Sequence, residues 1–311
     1  MIHLEKLITE SRNAATKNID KVSTLELVKI INEEDKKVAR AIEQTLPQIA
    51  EAIDTITDRL KSGGRLFYLG AGTSGRIGIL DASECPPTYG TDPSLVQGLI
   101  AGGIEAIFQS QEGAEDSFEL GGADLAEKNL NSKDVVVGLA ASGRTPYVLG
   151  GLAFAKANGA STIAVTCNPD SPLATAAAIS IIAAVGPEVI TGSTRMKAGT
   201  AQKMILNMLS TGAMIHLGKV YGNLMIDVKA SNKKLEERAC HIVQEATGCS
   251  RNDAQAALTK SKGQAKLAIF MILSGLSIER SQKILEENKG FLAQALTSLR
   301  QHLPPKEAVL S

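Results

Sequence analysis

Three short segments of this 311-residue chain bring small residues, hydroxyls and cations together in ways that suit an anionic ligand. The first is Gly70-Ala71-Gly72-Thr73-Ser74-Gly75-Arg76, the second Ala141-Ser142-Gly143-Arg144-Thr145-Pro146, and the third Thr191-Gly192-Ser193-Thr194-Arg195-Met196-Lys197. Glycine lets a backbone approach its ligand closely, and the N–H groups at a helix start, joined by hydroxyls, cradle a phosphate monoester. The candidate ligands are therefore Thr73 and Ser74, then Ser142, Gly143 and Thr145, then Ser193, Thr194, Arg195 and Lys197. Arg195 and Lys197 would pair with a phosphate or a carboxylate, for which the planar guanidinium is the better geometric match.

Other readings of these segments compete. The first matches GxGxxG, so a dinucleotide site must be weighed, but that fold wants an acidic residue at the end of the second strand to hold a ribose. Asp92 has the right spacing yet precedes the strand candidate at 95–100, and Glu105 comes late. A purely structural tight turn explains the glycines equally simply, and any one hydroxyl is as well explained by an ordinary helix N-cap. Three such loops around one sheet edge point instead to a phosphorylated polyol contacted from several sides.

The segments need elements to position them. Short apolar runs at 66–69, 95–100, 135–139, 162–166 and 179–185 alternate with helix-like stretches, the pattern of a buried parallel sheet covered on both faces, with ligands at the carboxyl ends of its strands. Before them, Ser23-Thr24-Leu25-Glu26 is a capping box, and Pro47 opens a second helix. The helix after the first glycine loop is expected to end before Glu84, where Pro86-Pro87 restricts the chain. After Gly222 only short capped helices follow, with starts near Ser250 and Ser277. The expected organisation is an N-terminal helical arm over 1–47, an α/β domain over 48–225 and a small all-helical domain over 230–311.

Composition excludes several classes. Lys and Arg number 33, equal to Asp and Glu, so there is no cationic surplus for coating nucleic acid. Six Phe, four Tyr and no Trp leave few ring faces for stacking bases or sugars. The most apolar stretch, 174–185, is too short to span a bilayer. The four cysteines lack CxxC spacing, which suits a reduced, cytoplasmic protein, and His241 beside Cys240 lacks partners at zinc spacing. Any anion is therefore expected to be held by a locally positive pocket at the sheet edge.

The loop Ser142-Gly143-Arg144-Thr145 resembles the phosphosugar-binding loop of sugar isomerase (SIS) domains, whose motif reads Ser-x-Ser-Gly-x-Thr; here its first serine is Ala140. The strings Gly70 to Arg76, Asp81-Ala-Ser-Glu-Cys-Pro-Pro87 and Gly186 to Thr200 closely resemble the N-acetylmuramic acid 6-phosphate etherase family, and the likeness runs along nearly the whole chain. The resemblance implies a five-stranded parallel sheet of flavodoxin-like type sandwiched by helices. It further implies a cytoplasmic homodimeric lyase that uses no metal or other cofactor and acts on a sugar phosphate. The family's two catalytic acids map onto Glu84, as proton donor to the leaving lactate, and Glu115, as base at the sugar carbon. Residue patterning alone would leave Glu112, Glu115, Asp116 and Glu119 as an acidic helix face.

Two carboxyl groups suit such chemistry. In a ring-opened sugar the aldehyde acidifies the adjacent carbon, which neighbours the ether carbon; one group must start ionised and the other protonated. Two further readings stand beside it. A non-catalytic sugar-phosphate regulator resembling the glucokinase regulatory protein would be much longer, with two such domains, and a dehydrogenase would rest on Gly70 to Gly75 alone.

Overall fold

A computed structural model describes residues 7–109, 111, 113–228 and 233–302. The chain divides into two compact units, Met1–Glu84 with Asp92–Ala213, and Cys85–Thr91 with Met214–Ser311.

In the first unit, 3-10 turns at Ile8–Glu10, Ala14–Thr16 and Ile19–Lys21 lead to α1 (Thr24–Glu43) and α2 (Leu46–Lys61). Ser23 caps α1 by accepting from the Glu26 N–H, and Pro47 sits in the first turn of α2. There follow β1 (Leu66–Gly70), α3 (Gly72–Tyr89), β2 (Val96–Ile100), α4 (Glu105–Phe108), α5 (Phe118–Glu127), β3 (Val135–Leu139), α6 (Pro146–Ala157), β4 (Ser161–Thr166), α7 (Pro172–Ala176), β5 (Ile179–Ile182) and α8 (Lys197–His216).

The strands are all parallel in the order β2-β1-β3-β4-β5. Every residue of β1 and β3 is buried, which is why those segments read as unbroken apolar runs. β5 stops at Ile182 rather than running on to 185, because its neighbour β4 ends at Thr166, the residue paired with Ile182. Chain order reverses between β1 and β3, and the crevice beyond their carboxyl ends is where such sheets bind ligands. Gly70 and Gly75 make the β1–α3 turn possible: a Cβ on Gly75 would lie 2.8 Å from the Gly70 carbonyl oxygen and 2.6 Å from Ile100.

One helix boundary differs from expectation. α3 runs through Pro86 and Pro87 to Tyr89. The prolines deprive the Ala82 and Ser83 carbonyls of helical donors, but Ser83 is exposed, where water can replace one of them. Gly90, at φ +63, closes the helix by donating to the Pro86 carbonyl.

The second unit is helical: α9 (Lys233–Thr247), α10 (Arg251–Lys260), α11 (Ala265–Ser274), α12 (Ile278–Glu287) and α13 (Leu292–His302). Ser250 and Ser277 cap α10 and α12 as their spacing predicts. Its core centres on α11, whose Leu267, Ala268, Ile269 and Phe270 are buried against Val243, Ala254 and Ala295. No helix among the described residues is long and apolar enough to cross a membrane.

Candidate active site

The turn after β1 and the turn after β3 open onto one cavity of about 400 Å³ at the switch point of the sheet. Ala71 to Ser74 form one wall and Ala140 to Ser142 with Arg144 to Pro146 another, while Thr194, Glu10, Glu115 and Asp116 complete it. The N-termini of α3 and α6 begin in these walls, so backbone N–H groups and two helix dipoles favour negative charge here.

Most of the expected ligands of the first two loops meet in this space. Thr73 lines it. Ser74 also lines it, and its hydroxyl donates to Gln202 Oε1 at 2.8 Å, fixing the loop to α8. Ser142 accepts from the Arg144 N–H at 3.3 Å. Thr145 is the N-cap of α6 yet makes no side-chain capping bond, which leaves its hydroxyl for another partner. Gly143 shapes the loop without lining the cavity: its φ is +67, and any Cβ would overlap the Ser171 hydroxyl.

The third loop behaves differently. Thr194 reaches the cavity, but Ser193, Arg195 and Lys197 are not in its wall. Arg195 is exposed. Lys197 is 1% exposed, and its ammonium lies 2.7 Å from Glu34 Oε2 on α1. Burial opposes the ionisation of Glu34, but hydrogen bonds from Lys197 and Lys37 overcome it and lower its pKa to about 2. Glu188, buried beside them, accepts from the N–H groups of Lys197 and Ala198 at 3.0 and 2.9 Å and so caps α8. An N–H pair and an ammonium that meet carboxylates of this chain do not serve a ligand.

Three charged residues absent from the expected set, Arg144, Glu10 and Asp116, also line the cavity. Arg144 does so with its Nε buried and without a hydrogen-bond partner among the described residues. An uncompensated buried guanidinium nitrogen costs free energy unless something accepts from it. Its sequence signal was present, at the variable position of the Ser-Gly-x-Thr motif. Glu10 had no such signal. It arrives because Asn168, after β4, accepts from the Ile8 N–H at 2.9 Å and donates to the Ala141 carbonyl at 2.9 Å, tying the arm to the second loop.

The cavity is therefore not the cluster of cations expected from the third loop: among the described residues its charged side chains are one guanidinium and three carboxylates. Attraction for an anion comes from helix N-termini, hydroxyls and Arg144.

Glu115 stands in a 3-10 turn, Ala114–Asp116, directly after Gly113 at φ +84. Glu115 and Asp116 thus do not share a helix face with Glu119, which belongs to α5; Glu112 lies outside the described residues. Arg76 braces the chain that leads to this turn by donating to the Ile107 and Ala106 carbonyls at 2.8 and 2.7 Å. Glu84 is exposed and is not in the cavity wall. It lies eleven residues beyond Thr73 on α3, about 16 Å along the axis. Among the described residues, no three His, Cys, Asp or Glu side chains group as metal ligands would.

Residues 48–156 match the family described as the glucokinase regulatory protein N-terminal SIS domain, and residues 222–267 match the C-terminal lid domain of the same protein. The N-acetylmuramic acid 6-phosphate etherase of Clostridium beijerinckii is 61% identical over 96% of this chain and 98% of its own. This chain belongs to the N-acetylmuramic acid 6-phosphate etherase family. The Photobacterium profundum etherase of that family is 59% identical, with 96% of this chain and 99% of the relative covered. A solved phosphoheptose isomerase from Francisella tularensis is 15% identical, with 63% and 98% of the two chains covered and a TM-score of 0.44.

Proposed function

We propose that the protein is a carbon–oxygen lyase. It cleaves the D-lactyl ether of N-acetylmuramic acid 6-phosphate to N-acetylglucosamine 6-phosphate and D-lactate, as part of amino-sugar recycling from peptidoglycan. The observation that carries this reading is the meeting of two anion-binding turns and Glu115 in one cavity, in a chain 61% identical to an etherase. The phosphate sits against Thr73, Ser74, Ser142, Thr145 and Thr194, and Arg144 pairs with an anionic oxygen of the substrate.

In the open-chain sugar, the Glu115 carboxylate takes the proton from carbon 2. The electron pair forms the C2=C3 double bond as the bond from C3 to the lactyl oxygen breaks, and Glu84 as the acid protonates that oxygen. Water then adds across the double bond, with hydroxide to C3 and a proton to C2, restoring both carboxyl groups.

About 16 Å of helix separates Glu84 from the cavity of its own chain, so the acid comes from a second copy in a homodimer. Surface apolarity supports this arrangement. Leu80, one turn before Glu84, is 45% exposed, and Ile104, Phe108 and Phe118, on either side of Glu115, are 75%, 86% and 47% exposed. In a two-fold dimer each such patch has a counterpart to cover it. A cytoplasmic location accords with the cysteine spacing.

Lactate release from N-acetylmuramic acid 6-phosphate by the purified protein tests the reaction; tight binding without release would make the protein a regulator instead. For the roles, Glu84→Ala should still exchange the carbon-2 proton in heavy water, and Glu115→Ala should not. Mixing those two inactive variants tests the shared site. Recovery to about a quarter of wild-type activity is expected if the acids come from different subunits, and none if they come from one.

A further inference from the structure

The helical unit holds a second cavity, of about 860 Å³, whose wall contains Lys219, Lys262, Lys266 and Lys289 against Asp227 and Glu286. At its centre two cations share one carboxylate oxygen: Lys266 donates to Asp227 Oδ2 at 2.8 Å, and Lys219 lies 3.1 Å from the same atom. Both ammonium groups are substantially buried, with side-chain exposures of 15% and 26%. Asp227 neutralises only one of them. Burial lowers the pKa of Lys266, Asp227 opposes that shift and Lys219 adds to it. The site therefore carries surplus positive charge in a place where water screens it poorly.

The remaining cations stand at the rim. Lys262 and Lys289 follow α10 and α12, are exposed, and both have φ +53, in the left-handed region that favours glycine. Each precedes a glycine, Gly263 or Gly290, in the same wall. The chain thus presents a lysine twice at a turn where glycine or asparagine would be less strained. Residues 263–267, at the start of α11, form another part of the wall, and the N-cap residue Gln264 makes no side-chain capping bond. Ile226, Leu267 and Leu285 supply an apolar floor. The volume is in the range of small-molecule sites.

We propose that this cavity binds a small phosphate-bearing metabolite, with its phosphate held by Lys262, Lys266 and Lys289 beside the start of α11 and its carbon body on the apolar floor. A dianion matches the surplus charge, which a neutral ligand would leave uncompensated. The site lies wholly within the helical unit and shares no residue with the cavity at the sheet edge.

Calorimetric titration of the full-length protein with glycerol 3-phosphate at low ionic strength reads the number of sites. Two per chain are expected. Lys262→Glu combined with Lys289→Glu should weaken one of them about tenfold or more and leave the other. Ser142→Ala combined with Arg144→Ala should do the converse. Because Lys262 and Lys289 are exposed, the charge reversals should preserve the fold, which circular dichroism checks. Mass-spectrometric acetylation of wild-type protein gives an independent readout: Lys262 and Lys289 should be protected by glycerol 3-phosphate and not by equal ionic strength of sodium chloride. A single site that vanishes in the Ser142→Ala/Arg144→Ala variant and is untouched by the charge reversals would overturn the proposal. So would equal protection of the two lysines by chloride.

Discussion

Lys197 and Glu34 meet at 2.7 Å, with side-chain exposures of 1% and 5%, and so join the start of α8 to the middle of α1. The lysine that sits in a ligand-like loop is thereby a structural ion. Removing Glu34 leaves the Lys197 ammonium buried and uncompensated, a loss of about 3 to 5 kcal/mol, whereas Glu34 keeps Lys37 when Lys197 is removed. Glu34→Ala should lower the urea midpoint accordingly, whereas Lys29→Ala on the exposed side of α1 should leave it within error.

The same pair sets an acid limit. Glu34 titrates near 4.5 when unfolded and at about 2 when folded. A depressed folded pKa contributes stability that is complete above 4.5 and is lost as the pH falls towards 2. The contribution is roughly 3 kcal/mol at most. Melting temperature should therefore decline more steeply between pH 4.5 and 2 in the wild type than in a Glu34→Gln/Lys197→Met double variant.

Arg144 should matter more to binding than Arg195 or Lys197. Loss of a charge-assisted hydrogen bond costs about 1.5 to 3 kcal/mol, so Arg144→Ala should lower kcat/KM for lactate release by about tenfold to a hundredfold. Arg144→Lys should recover part of that loss, since a point charge replaces the fork. An Arg195→Ala variant with the larger defect would reverse this assignment.

Arg76 is expected to act by positioning. Its guanidinium braces the Ala106 and Ile107 carbonyls, and the chain from there leads to Glu115. Arg76→Ala should lower kcat about tenfold or more while leaving the dissociation constant for N-acetylglucosamine 6-phosphate within about twofold. Parallel loss of both would make its role that of a ligand.

Gly143→Ala should be worse than its size suggests. It adds one methyl at φ +67 against the Ser171 hydroxyl. Strain and overlap of this kind cost about 1 to 3 kcal/mol, readable as a lower melting temperature together with lost phosphate binding. The pairing Gly143→Ala with Ser171→Gly should restore part of the stability, because the overlap with Ser171 is relieved while that with the Thr166 hydroxyl and the strain persist.

The sheet was readable from the chain because β1 and β3 are buried on both faces, and such strands show as unbroken runs. The end of β5 was not, since it depends on where β4 stops. The two turns that line the cavity were legible as glycine and hydroxyl clusters after strands. The third misled, because whether Lys197 faces a ligand depends on Glu34, 163 residues away. Arg144 lay within the motif but carried no mark distinguishing it from a surface cation; the buried, unpartnered Nε appears only once the loop is folded. Local spacing likewise had no means of showing that α3 continues past Pro86 and Pro87.

Asn168 clamps the chain near Ile8 onto the turn after β3, and Glu10 stands in the cavity wall. The 3-10 turn Ile8–Glu10 is thus pinned to the cavity wall, a matter of practical weight for anyone trimming the chain. A truncation running past Glu10 would remove one carboxylate from the cavity wall and take from Asn168 the Ile8 N–H that it now accepts.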